Sequence, residues 1–151
     1  MNPVANSRSV VSLSAAAGVA SNGTHTVAID CLGYDSVSID VGYRSIAHTS
    51  APSVVTVQHS DTDGSYTTIS GLVQGTDYTL AGVANTATVN VTRFNISTKE
   101  LRRYLQVSVT PSASATANAS NNTIVVAARL AKGEKGCVNA TDANVTTFVT
   151  K

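Results

Sequence analysis

The side chains that could do chemistry are few and scattered. His59, Asp61, Asp63 and Ser65 fall within the stretch HSDTDGS, which brings an imidazole, two carboxylates and several hydroxyls into seven positions. A serine–histidine–carboxylate relay needs the base within hydrogen-bond reach of a nucleophile, with a carboxylate behind it. The chain has no G-x-S-x-G elbow to raise a serine and no H-E-x-x-H pair, and His25 and His48 lie in separate segments. These features predict three strand-end histidines, no catalytic residues and no enzyme. Asp61-Thr62-Asp63-Gly64-Ser65 also has the D-x-D-G look of a calcium loop. Calcium takes six or more oxygens, and the full loop would place a glutamate several residues on. Tyr66, Thr67, Thr68 and Ile69 follow instead. Asp and Gly serve a hairpin turn directly, through side-chain-to-backbone bonds and left-handed backbone, so a turn is expected, with no metal ligands and no cofactor.

Arg102 and Arg103 precede Tyr104 at the start of an alternating run. Neighbours in a strand face opposite ways, so one arginine points out and the other toward a sheet edge or core rim. Arg103 is expected to bond a carbonyl or carboxylate within the fold; an ion pair between subunits is the functional alternative. Two distant cysteines, Cys31 and Cys137, make neither a disulfide framework nor a metal cluster. Cys31 reads most simply as a small buried hydrophobe, and a bridge to Cys137 would instead tie the tail to the core. GLVQG and KGEKG lack the strand–helix setting of a phosphate loop.

Composition narrows the function classes. The chain has 151 residues, which suits one core, and a formal net charge of +1 with 13% charged residues. No basic footprint for nucleic acid is present. Tryptophan is absent and aromatics are 5%, which argues against base-stacking or sugar-binding platforms. Hydrophobic residues at 42% are enough to fold. No run approaches the roughly 18 apolar residues of a membrane span, so no membrane partner is expected. VVSLSAAAGVAS has the small residues of a secretory signal, but serines interrupt its apolar run. The sequons at Asn22, Asn90, Asn95, Asn118, Asn121, Asn139 and Asn144 are what a chain rich in Asn, Ser and Thr produces by chance.

The elements that must position these residues are strands. Period-two alternation bounded by Gly, Asn, Asp, Ser or Pro recurs at 10–13, 24–31, 36–43, 53–60, 66–69, 78–83, 87–94, 103–110 and 123–130. Turn signals fall at 32–35, 61–64 and 74–77, with a longer loop at 112–122. Ser97 and Glu100 have capping-box spacing, but strand alternation resumes so soon that one helical turn is the most allowed. The expected fold is all-β, an antiparallel β-sandwich or jelly roll. Its organisation is an N-terminal segment (1–22), a β-sandwich domain (23–132) and an extended C-terminal arm (133–151); a tail of this composition usually frays, and pairing with a neighbouring subunit is the sharper reading.

VTVQHSDTDGSYTTI (55–69), RRYLQVSVTP (102–111) and TIVVAARLAKG (123–133) together resemble the capsid cement, or head decoration, proteins of tailed bacteriophages. The resemblance covers the central and C-terminal two-thirds of the chain. It implies a structural, non-enzymatic β-sandwich or jelly roll, commonly a homotrimer, synthesised in the host cytoplasm and placed on the capsid exterior. Its partner would be the major capsid protein, bound where subunits meet so that binding stabilises the assembled head. Similar hairpins occur in phage tail, fibre and head-fibre base proteins, which are the alternative; a secreted adhesin or carbohydrate-binding domain is a further one.

Overall fold

The computed structural model describes residues 7–14, 23–45, 51–82, 89–112, 122–132 and 147–150. Alternation builds its strands. Val37, Ile39, Val41 and Tyr43 are buried along one side of their strand, as are Leu105, Val107 and Val109, and Ile124, Val126, Ala128 and Leu130. Each such row covers itself only against a second sheet. The strands are β1 (Ser7–Leu13), β2 (His25–Asp30), β3 (Ser36–Ser45), β4 (Val54–Ser60), β5 (Thr67–Val73), β6 (Asn90–Ser97), β7 (Tyr104–Thr110), β8 (Asn122–Ala131) and β9 (Thr147–Thr150). They form a five-stranded sheet, β1-β8-β3-β6-β9, and a four-stranded sheet, β2-β7-β4-β5. One apolar core draws on both: Ile39, Phe94 and Val126 from the first, Ile29, Val57 and Val107 from the second. The chain is thus the expected all-β sandwich.

Most connections cross between the sheets, and among the described strands β4–β5 is the one hairpin of sequence neighbours. The crossing from β2 to β3 turns at Leu32-Gly33. Tyr34 N–H donates to the Cys31 carbonyl at 3.1 Å, and Gly33 takes φ 84°, as the third residue of a type II turn requires. The β6–β7 crossing clamps onto it: Thr98 donates its hydroxyl to the Tyr34 carbonyl (2.5 Å) and its N–H to that of Asp35 (3.0 Å). Residues 98–101 therefore make a turn, closed by Leu101 N–H on the Thr98 carbonyl.

Three expectations change. Residues 78–83 alternate but do not form a strand over their described part, 78–82; only a single bridge joins Tyr78 to Gln74. Tyr78 and Leu80 pack on the core while side chains satisfy the backbone. Tyr43 Oη and Asn90 Nδ2 donate to the Ala81 carbonyl, and Asn90 Nδ2 to that of Gly82 at 2.7 Å. Alternation reported which side is buried, not a ladder partner. The sandwich also takes strands from both segments set apart as flanks, β1 from 1–22 and β9 from 133–151. Finally, β9 pairs in parallel with β6 of its own chain, in place of a neighbour. Residues 133–146, Cys137 and His48 lie outside the described residues.

Candidate interaction surface

The titratable groups singled out in the sequence are brought into three separate contacts. His59 Nδ1 accepts the Arg102 N–H at 3.4 Å, and Arg102 faces Asp61 at 3.5 Å. Asp63 turns away to accept the Tyr66 hydroxyl at 2.5 Å, while Ser60 Oγ takes the Thr62 N–H and Gly64 sits at φ 132°. The two carboxylates of the D-x-D-G stretch thus serve different partners within one hairpin. His25 stands apart, 3.2 Å from Ser12 Oγ between β2 and β1. Burial lowers the pKa of both His25 and His59, and the Arg102 charge lowers that of His59 further.

Arg103 does bond a carboxylate within the fold. Its Nε and second terminal nitrogen donate to the two Asp30 oxygens at 2.9 and 2.7 Å, and its guanidinium lies 4.7 Å from the Tyr104 ring centre. Asp30 also accepts the Leu32 N–H. The Arg103 hydrogen bonds, chiefly, hold the Asp30 pKa down to about 2. Cys31 is a buried free thiol, and burial pushes its pKa up to about 12. Among the described residues no group of three or more His, Cys, Asp or Glu could hold a metal ion.

What remains is a surface. On the outer side of the five-stranded sheet the registers align Leu13, Val125, Gly42 and Val91 across β1, β8, β3 and β6. The next row runs Val11, Ala127, Asp40, Arg93. Val11 and Leu13 are 69% and 61% exposed, and Val89 beside the row is 53% exposed. Gly42 makes the row dip at its middle: a Cβ there would sit 3.7 Å from Val89 Cγ1 and 3.8 Å from Val125 Cβ. Asp40 and Arg93 close the patch on one side with a two-point ion pair, 2.5 and 2.6 Å, while on the other side Arg44 follows Gly42 on the same face.

The patch reaches a sheet edge that no other described strand pairs. β1 is the first strand of its sheet. Ser14 N–H donates to the Ile124 carbonyl at 2.8 Å, which fixes the ladder's phase. By antiparallel alternation, Ser9, Val11 and Leu13 then turn their N–H and C=O away from β8. Of the features that commonly blunt such edges, β1 has no lysine, proline or bulge, but Arg8 places one charge on its inward-facing register. The other sheet's outer side differs in character: Thr24 bonds Thr110 at 2.9 Å and Thr26 meets Ser108 at 3.5 Å, a hydroxyl-lined face with the Asp30–Arg103 ion pair at one end.

Sequence reasoning missed the apolar row because Val11 and Leu13 look like core residues until the register of β1 on β8 is known. No protein-family model matches the chain, and no curated protein is significantly similar to it.

Proposed function

We propose that the chain is a structural, non-enzymatic virion protein of a tailed bacteriophage, a capsid cement protein that attaches to the outside of the major capsid protein lattice. The observation that carries the reading is the exposed Val11 and Leu13, with Val89 beside their row, at the edge of β1 that no other described strand pairs. Large apolar side chains gathered at a sheet edge favour a protein partner, because burial supplies affinity and the edge supplies main-chain hydrogen bonds. The sequence resemblance to capsid cement proteins is what points to the major capsid protein as that partner. The ionisable side chains support the same reading: Asp30, Asp40 and Asp61 all face arginines of the fold itself. Binding across several capsid subunits stabilises the assembled state by linkage, and many copies need only modest contact each.

The test is cosedimentation with empty shells assembled from the major capsid protein of the same genome. The protein should pellet with shells at a saturating, fixed ratio, and Leu13→Asp should abolish this while leaving the circular dichroism spectrum unchanged. Failure of the wild-type protein to pellet with shells at any concentration would overturn the reading.

A further inference from the structure

The character of β1 changes along its length, and that gradient bears on the kind of strand that fits beside it. Val10 packs on the core, so Arg8, Val10 and Ser12 face inward while Ser9, Val11 and Leu13 face outward. At one end Val11 and Leu13 are exposed, and the register sets Ala127 and Val125 of β8 beside them. At the other end the register sets Arg129 beside Ser9, and Arg8 precedes Ser9 on the opposite side of the sheet. Arg129 is exposed between the buried Ala128 and Leu130. Arg8 lies within electrostatic reach of Asp30, but Arg103 already holds that carboxylate at two points. Neither β1 nor β8 carries an acidic residue. Deeper in the same outward face, Arg44 and Arg93 stand with Asp40 on β3 and β6. Those strands are two and three positions in from β1, about 10 and 14 Å, where salt screens their charge. Arg8 and Arg129 are the cations near enough to touch a strand laid along β1.

We propose that β1 accepts one antiparallel strand of the partner protein whose outward residues run apolar, apolar, acidic. Two aliphatic side chains lie opposite Leu13 and Val11, and a glutamate or aspartate lies opposite Ser9. This rests on the reading of β1 as the attachment edge and adds what attaches there. Ser9, Val11 and Leu13 turn their N–H and C=O away from β8, so the ladder and the side-chain pattern fall on the same three positions. Antiparallel addition is the stronger pairing per residue, and it places the apolar residues first in the partner's chain order. The two aliphatic side chains cover the apolar end of the row. The acidic residue stands two strand spacings from Arg129, about 9.6 Å, with only a serine between them. A long guanidinium arm crosses a serine where a valine or leucine would block it, and the contact is a charge-assisted hydrogen bond. A basic residue at that position would lie between Arg8 and Arg129, so the same end rejects the wrong partner.

Two synthetic heptapeptides test this. Both alternate valine with threonine, and they differ in one residue, a glutamate or a lysine at the position that falls opposite Ser9. Each is titrated to about 1 mM into isotope-labelled wild-type protein and followed by amide chemical shifts. The glutamate peptide should move the amides of Ser9, Val11 and Leu13 and bind about tenfold or more tighter than the lysine peptide. That preference should shrink at about 0.5 M salt and invert in Arg129→Glu. Equal affinities for the two peptides, shifts confined to another edge, or no shift with either peptide would overturn the proposal. Cosedimentation separates this failure from that of the capsid reading. Wild-type protein that pellets with shells yet shows no glutamate preference refutes the strand pattern alone. A glutamate preference without pelleting refutes the capsid reading and supports the strand pattern.

Discussion

Asp30 and the histidines set how the fold responds to acid. The two-point Arg103 contact holds the Asp30 carboxyl at about 2 against an ordinary 3.8, so the folded state favours its charged form. That contribution is fully present above pH 3.8 and is lost as pH falls toward 2. His25 and His59 sit below the ordinary 6.5 because burial disfavours their charged forms. The unfolded chain therefore takes up their protons first, and their contribution is lost as pH drops below 6.5. Thermal melts from pH 7 to pH 2 should show stability declining first below pH 6.5 and again below pH 4. Asp30→Asn should flatten the second decline; superimposable curves for the two proteins would contradict the role given to the ion pair. Cys31, with its thiol pushed up to about 12, should resist alkylation in a Cys137→Ser background until denaturant is added. Mass spectrometry of the alkylated protein reads this directly.

At the scale of elements, β6 and β3 carry the fold. Phe94 is fully buried and meets the Tyr78 ring edge-on at 5.4 Å, so Phe94→Ala should cost about 3–5 kcal/mol in a denaturant titration. Gly42 is the reverse case. The nearest atoms to an added Cβ are in ordinary contact, and a glycine within a strand loses more freedom on folding than alanine does. Gly42→Ala should therefore raise stability by about 0.5–1 kcal/mol; a loss would show that the dip is needed for packing. These elements also show what the sequence made legible. The β4–β5 hairpin could be read because its partners are neighbours and its turn has Asp and Gly where a turn needs them. The inward rows of β3, β7 and β8 could be read because period two marks a covered side. Partner choice could not. β1 pairs with β8 more than a hundred positions away, and nothing in SRSVVSL says which neighbour it takes. Residues 78–82 misled for the same reason, since burial of Tyr78 and Leu80 mimics a strand whose backbone bonds go to Tyr43 and Asn90. Of the sites, the Arg103 partnership was anticipated in kind, whereas the apolar row exists only once four strands are in register.

At the scale of the whole molecule, the two outer surfaces differ: one is hydroxyl-rich with the Asp30–Arg103 pair at one end, the other carries an apolar row that reaches the last described strand of its sheet, β1. Buried polar groups confirm how much of the fold is committed to holding those surfaces. Asn90, one of the sequon asparagines, is buried with its amide bonded to two carbonyls, which leaves it no role as a glycan acceptor in the folded chain. Leu13→Asp should change stability by no more than about 1 kcal/mol, because an exposed strand position contributes little to folding. Its effect belongs to attachment. The most direct measurement is hydrogen exchange on β1, comparing the free protein with the protein bound to shells. In the free protein the amides of Ser9, Val11 and Leu13 should exchange fast, and shell binding should slow them by tenfold or more, on the order expected for newly formed main-chain hydrogen bonds. Unchanged exchange on β1 with the shell saturated, or protection confined to Thr24, Thr26 and Ser108, would contradict the account.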